Sequence, residues 1–445
     1  MRGRVAIETQ GCKLNQADSE ALARRFLSDG YHVVGPEEQA DVYVLNTCTV
    51  THVADSKARQ ALNALRSAHP DALLVAAGCY AQRRPQELAA LPGVELVVGN
   101  RDKDRLVELV LSRPGGVAVR EQLSAPPPSG VVIDASPFRL RWGNQLPKEA
   151  LGRTRAMVKI QEGCNQVCAY CIVPKVRGRE RSVPPEEVVR QVRERAAEGY
   201  QEVVLTGTQL GSYGFDMEGA SLERLIARVL SETAIPRLRV SSIQPQELTP
   251  GLLALWSEPR LCPHFHIPLQ SGAAAVLQRM RRRYTPSDYA RAVEQVRSAA
   301  PHASITSDVI VGFPAESEDE HQESLRLCQE MDFAAMHVFP FSARPGTSAM
   351  HLEPKVDGAT KVRRAKEVLA LAREMADSYR RRAVGQTRPV LWERLDSWHG
   401  ESALSGLTDT YLRVFTSPDG QRGNRITPTR LVAARDGALW GEPPA

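Results

Sequence analysis

The chain has 445 residues, enough for two or three domains, with 42% hydrophobic and 24% charged side chains, which excludes wholesale disorder. No apolar run reaches the ~18 residues that span a bilayer, and residues 1–20 carry no apolar signal core, so a cytoplasmic chain without a membrane partner is expected. Eight cysteines are too few for a disulfide scaffold, and in a reducing compartment they read as metal ligands or catalytic groups. Residues 361–445 carry 15 basic and 10 acidic side chains, so the net +5 lies there, while residues 1–360 balance at 42 and 42. A basic end suits a phosphate-rich partner or a solvated helix face.

The first ~115 residues alternate two patterns. Short apolar, β-branched runs at Arg4–Glu8, Asp41–Asn46, Ala72–Gly78 and Val94–Gly99 predict buried parallel strands. Helical periods fall near Asp18–Ser28, Asp55–Ala68 and Asp102–Leu111, with Asp55 and Asp102 as N-cap candidates. Together they predict a small parallel α/β domain over residues 1–120. Residues 121–150 hold a proline-rich linker, Ala125-Pro126-Pro127-Pro128.

The alternation resumes after Thr154. Strands are predicted at Ala156–Ile160, Glu202–Thr206, Arg237–Ser242, His264–Ile267, Ser304–Val311 and Ala335–Phe339, with helices such as Pro185–Glu198, Ser287–Ala299 and Glu316–Met331 between them. Six strand–crossover units imply a partial (β/α)6 barrel over residues 151–384. A long basic helix, Lys361–Arg382, closes it. Residues 385–445, with Val390–Trp392, Tyr411–Phe415 and Leu431–Val432 among turn residues, predict a small β-barrel.

Cys164, Cys168 and Cys171 read Cys-x-x-x-Cys-x-x-Cys just after a predicted strand, with Tyr170 before the last thiol. Three thiolates on one loop can hold three irons of a [4Fe–4S] cube and leave the fourth open. A structural zinc site would want a fourth ligand, and no Cys or His lies nearby. The spacing is similar to that of the radical S-adenosylmethionine (SAM) superfamily, which implies SAM on the open iron and a 5′-deoxyadenosyl radical. Cys12, Cys48 and Cys79 are far apart in sequence but each follows a predicted strand. Parallel strands share one C-terminal edge, where open α/β domains bind ligands. The three thiols could meet there around a second cluster, or be small apolar residues at strand ends.

The chain resembles the methylthiotransferases, a radical SAM family. The resemblance is carried by Gly11-Cys12-Lys13-Leu14-Asn15-Gln16, Asn46-Thr47-Cys48, Gly78-Cys79, Gly163-Cys164-Asn165 through Cys171-Ile172-Val173-Pro174, and Arg177-Gly178-Arg179-Glu180-Arg181-Ser182. Thr206-Gly207-Thr208-Gln209 through Gly214, His266-Ile267-Pro268-Leu269-Gln270-Ser271-Gly272 and Asp308-Val309-Ile310-Val311-Gly312 extend it. It implies two [4Fe–4S] clusters, one on each cysteine trio, and a C-terminal RNA-binding barrel of the TRAM type. It implies SAM contacts from Tyr170, Thr206, Gly207 and Gln209, with Ser242, Gln270 and Asp308 as further candidates.

The glycine-cysteine motif is most like the branch acting on N6-threonylcarbamoyladenosine beside the tRNA anticodon. Other branches act on isopentenyladenosine or on an Asp of a ribosomal protein. A tRNA anticodon stem-loop, an electron donor such as flavodoxin or ferredoxin, and a sulfur donor are then the expected partners. Arg381, Arg382, Arg422, Arg425 and Arg430 are the phosphate-contact candidates, and Tyr213 the candidate to stack the target base. A non-catalytic iron–sulfur RNA sensor is the reading from another class. His264 and His266 are expected to be a hydrogen-bonded strand-end pair, and Cys262 and Cys328 to be buried.

Overall fold

The computed structural model describes residues 2–112, 154–418 and 423–443. The linker at 121–150 and Arg422 lie outside these residues. The chain forms two compact units, Met1–Gly152 with Lys175–Gly178, and Arg153–Pro174 with Arg179–Ala445. Among the described residues no helix is long and apolar enough to cross a membrane.

The first unit is built on β1 (Arg4–Thr9), β2 (His32–Val34), β3 (Val42–Thr47), β4 (Leu73–Gly78) and β5 (Val94–Gly99). They pair in parallel in the order β2-β1-β3-β4-β5. Central strand β3 is buried throughout, because apolar helix faces cover both sides. Leu22, Ala23 and Phe26 with Leu106, Val107 and Val110 pack on one face. Ala58, Leu62, Tyr80 and Leu88 pack on the other.

Three local expectations are corrected in this unit. The first helix begins at Lys13, not Asp18. Asn15 and Asp18 are buried in hydrogen bonds, so polar residues occupy its inner face and hide the apolar period. The next helix, His52–Ala68, is capped by Thr51, whose hydroxyl accepts from the Ala54 N–H at 3.1 Å. Asp55 is instead buried and accepts from Arg83 at 2.6 Å. Asp102 makes no capping bond; it precedes a 3-10 turn, Lys103–Arg105.

In the second unit, β6 (Arg155–Lys159) is followed by a two-residue ribbon, β7 (Gln161–Glu162) with β8 (Arg181–Ser182). Next come β9 (Glu202–Thr206), β10 (Arg237–Val240), β11 (His264–His266), β12 (Ser304–Val311) and β13 (Ala335–Pro340). The larger strands run parallel as β6-β9-β10 and β11-β12-β13, and the parallel bridges Leu238–Leu261 and Ser242–His266 join the halves. Strand side chains alternate between two faces. Ala156, Val158, Val203, Leu205, Leu238, Val240, Phe265, Ile305 and Val309 enter the large outer core. The intervening residues face inward and are mostly polar: Arg155, Lys159, Glu202, Thr206, Arg237, Arg239, His264, His266, Thr306 and Asp308.

Helix Gly358–Ala383 leads into a closed barrel of β14 (Thr387–Trp398), β15 (Glu401–Thr408), β16 (Arg413–Thr416), β17 (Ile426–Arg435) and β18 (Ala438–Glu442), ordered β14-β15-β16-β18-β17. Val390, Trp392, Leu404, Val414, Leu431 and Leu439 fill it. This barrel seals the lower end of the parallel strands. Arg239 donates to the carbonyls of Asp409 and Thr408 at 2.9 and 3.3 Å, and Arg237 to that of Leu407 at 3.2 Å. Both guanidinium groups grip the fully buried Glu202, at 2.5 and 2.8 Å. Burial alone would raise the Glu202 carboxyl, but Arg237 and Arg239 hold it well below the usual carboxylate range.

Candidate active site

The loop carrying Cys164, Cys168 and Cys171 follows β6 and β7 and is fixed from several sides. Asn165 and Glu180 bracket it reciprocally: the Asn165 N–H donates to Glu180 Oε1 at 3.1 Å, and the Glu180 N–H to Asn165 Oδ1 at 3.3 Å. The Ala169 N–H donates to the Met280 carbonyl at 2.9 Å. None of the three cysteines is in a disulfide. Burial pushes the Cys171 thiol up to about 12 and the Cys164 thiol up to about 11, with neighbouring loop thiols adding to both shifts. Arg282 donates to Cys168 Sγ at 3.4 Å and to Gln244 Oε1 at 3.0 Å. Gln244 in turn donates to Gln209, and Gln209 to Glu247. Gln161 Oε1 accepts from the N–H groups of Thr208 and Gln209, each at 2.9 Å.

The other predicted contacts lie at the same strand ends. Thr206 ends β9, with Gly207 next. Ser242 is exposed beside His266. Gln270 takes φ 67° and its N–H donates to the Asp308 carbonyl at 2.8 Å. Tyr170 packs beside Phe313 and Phe341. Tyr213 is a correction: it is 3% exposed, sits in the outer core, and its hydroxyl donates to the Val183 carbonyl at 2.6 Å. Its ring is spent on packing, so it is not available to a base. The family resemblance places the run Arg281-Arg282-Arg283 near the site rim, whereas nothing in the sequence marks Gln244, Glu247 and Gln161 for these contacts. The run Arg281-Arg282-Arg283 hides that only Arg282 turns inward.

In the first unit, Cys12, Cys48 and Cys79 follow β1, β3 and β4, and β1 and β3 flank the point where the strand order reverses. Ligands in sheets of this order bind at that point. Gly11 has φ +100°, and a Cβ there would lie 2.7 Å from Cys48 Cβ and 3.0 Å from its Sγ. Glycine thus lets the Cys12 turn lie against Cys48. Gly78 repeats the device before Cys79, with φ +97° and a virtual Cβ 2.5 Å from Asn46 Oδ1. Burial pushes the Cys48 thiol up to about 12, reinforced by the charges of Cys79 and Cys12. Asn15 ties the turns together, donating to the carbonyls of Gln10 and Thr47 at 2.7 and 3.0 Å. Asn100 donates to Cys79 Sγ at 3.4 Å. Arg177 and Lys103 neutralise buried Asp18 at 3.2 and 2.8 Å, and Arg177 also donates to Asn15.

Residues 4–99 match the model of the uncharacterized protein family UPF0004, and residues 158–328 that of the Radical SAM superfamily. The threonylcarbamoyladenosine tRNA methylthiotransferase MtaB of Bacillus subtilis (strain 168) is 37% identical over 97% of this chain and 94% of its own length. The chain belongs to the radical SAM methylthiotransferase family. MtaB of Aquifex aeolicus (strain VF5) is 41% identical over 82% of this chain and 86% of its own. The tRNA-2-methylthio-N(6)-dimethylallyladenosine synthase of Syntrophotalea carbinolica (strain DSM 2380 / NBRC 103641 / GraBd1) is 34% identical over 98% of both. Among solved structures, the radical S-adenosylmethionine methyltransferase TsrM from Kitasatospora setae shares the fold, with TM-score 0.58 at 17% identity over 78% of this chain and 77% of that one.

Membership in this methylthiotransferase family brings SAM and a [4Fe–4S] cluster, and the donor chemistry of the Cys164 loop fits one. A single zinc needs sulfurs within about 4 Å of each other, given Zn–S distances of about 2.3 Å. Among the described residues neither cysteine trio forms a group whose ligand atoms all lie within 4.8 Å of one another. Glu318, His321 and Glu367 do meet that spacing, but Arg363 and Arg364 already neutralise the carboxylates at 2.6–3.2 Å.

Of the arginine candidates, Arg381 and Arg430 are exposed and both flank the junction where Gly385 and Gln386 pair with Leu431. Arg382 is held by Asp332 at 2.7 Å. Arg425 is exposed, five residues from Arg430 and about 17 Å away along an extended strand. His264 and His266 are hydrogen-bonded, and Cys262 and Cys328 are buried.

Proposed function

We propose that this methylthiotransferase places a methylthio group at C2 of N6-threonylcarbamoyladenosine beside the tRNA anticodon. The likeness to the MtaB enzymes over nearly the whole chain carries the reading. Residues 1–120, 151–384 and 385–445 form its methylthiotransferase, radical SAM and RNA-binding parts. Cys164, Cys168 and Cys171 hold the cluster that receives SAM, and Cys12, Cys48 and Cys79 hold a second [4Fe–4S] cluster.

When bound, SAM and the two clusters supply the radical that removes the C2 hydrogen and the sulfur that replaces it. The chain's own residues bind and orient. Arg282 donates to one cluster thiolate and braces Gln244, which orders Gln209 beside the SAM loop Thr206–Gly207. Tyr170, Ser242, Gln270 and Asp308 line the remaining strand ends. Asn100 does for Cys79 what Arg282 does for Cys168, and Asn15 braces the turns that carry Cys12 and Cys48. Arg381, Arg382, Arg425 and Arg430, with Arg422, steer RNA phosphates in a salt-sensitive way. A flavodoxin- or ferredoxin-type donor supplies electrons, and a separate donor the sulfur.

The dimethylallyladenosine synthases among the relatives support a second reading, the same chemistry beside a hydrocarbon substituent. Mass spectrometry of nucleosides from cells lacking the gene separates them. Loss of the methylthio form of threonylcarbamoyladenosine, restored by the wild-type chain, is expected; an unchanged nucleoside profile overturns the assignment.

A further inference from the structure

The inner face of the parallel strands is divided into two layers. Glu202, Arg237 and Arg239 fill the lower one, and Tyr411 from the C-terminal barrel closes it, its ring 4.8 Å from both the Arg239 guanidinium and the His264 ring. The upper layer stays open. His266 Nε2 lies 3.2 Å from Asp308 Oδ2, their side chains 13% and 27% exposed. Thr306 Oγ1 bridges His266 Nδ1 at 3.0 Å and His264 Nε2 at 3.4 Å. His266 is thus held between Thr306 and Asp308 through its two ring nitrogens.

His337 is the register partner of Asp308 on β13. It is exposed, with its ring 6.1 Å from that of His266. Among the described residues its ring has no hydrogen-bond or ion-pair partner, whereas Lys159 is taken by Glu162 at 3.1 Å. Phe339, two residues further along the same face, is 42% exposed and offers a flat apolar surface beside it.

Resting on the function proposed above, we propose that His266, Asp308 and His337 form the subsite for the N6 substituent of the target adenine. This subsite selects a polar, anionic threonylcarbamoyl group over a hydrocarbon. His337 donates to the substituent's carboxylate. Asp308, oriented by His266, accepts from its urea N–H or hydroxyl. A dimethylallyl group would strip water from the carboxylate and both imidazoles and give no partner back. Sites built to hydrogen-bond a substrate reject analogues lacking the bond by orders of magnitude.

The test uses the reconstituted full-length enzyme with two synthetic anticodon stem-loops, one carrying N6-threonylcarbamoyladenosine and one N6-dimethylallyladenosine. The expected wild type prefers the first. His337→Leu lowers the ratio of the two kcat/KM values by about tenfold or more, and His337→Gln, which keeps a donor, restores most of it. 5′-Deoxyadenosine formed without RNA is measured alongside. An unchanged ratio, or a loss of 5′-deoxyadenosine that accounts for the lost product, overturns the subsite while the proposed function stands. A wild type that modifies neither stem-loop, or prefers the dimethylallyl one, overturns both.

Discussion

Cys164, Cys168 and Cys171 fall within eight consecutive residues of one loop, whereas Cys12, Cys48 and Cys79 leave three different strands of a parallel sheet. The loop trio is ordered by short-range bonds, the Asn165–Glu180 bracket above all. The strand trio exists only if β1, β3 and β4 hold their register and if Gly11 and Gly78 keep backbone angles that other residues resist. Local spacing makes one site self-contained; topology makes the other hostage to the whole first unit.

That contrast can be broken most sharply by removing one ligand on each side. Cys168→Ala is expected to drop 5′-deoxyadenosine formation to background in an anaerobic assay, taking methylthiolation with it. Cys48→Ala is expected to abolish methylthiolation while RNA-independent SAM cleavage continues; loss of both would mean that the trios are not separate. Gly78→Ala tests dependence on topology. The added Cβ meets Asn46 Oδ1 and the Thr47 carbonyl, so we expect about 1–3 kcal/mol lower stability in chemical denaturation and iron lost from the first unit alone. The smallest effect is predicted for Asn100→Ala, which removes the donor to Cys79 Sγ. Iron retention against a chelator should weaken about tenfold, and equal retention would show that this amide does not support the cluster.

The sequence was most legible where physics is local. The loop trio follows from spacing, and the predicted parallel strands of both units follow from apolar runs to within a residue or two, whereas β14 and β17 of the C-terminal barrel run three to six residues past the predicted Val390–Trp392 and Leu431–Val432 at their ends. The three-residue β2 is too short to show a period. β15 and β18 mix small, polar and aromatic residues with apolar ones and blur their alternation. Polar residues placed inside were the main source of error. Buried Asn15 and Asp18 masked a helix start, and buried Asp55 looked like a cap. Tyr213 looked like a reader of bases because its loop matches the family, yet its ring packs in the core. The ties from Arg177 to Asp18 and from Arg282 to Cys168 join residues 159 and 114 positions apart, which no single-sequence pattern exposes.

Iron and acid-labile sulfide counted on anaerobically reconstituted protein, wild type beside the triple variant C12A/C48A/C79A, bear most directly on the two-site account. About eight iron per chain are expected in the wild type and about four in the variant, with RNA-independent SAM cleavage retained in both. About four iron in both proteins would contradict it.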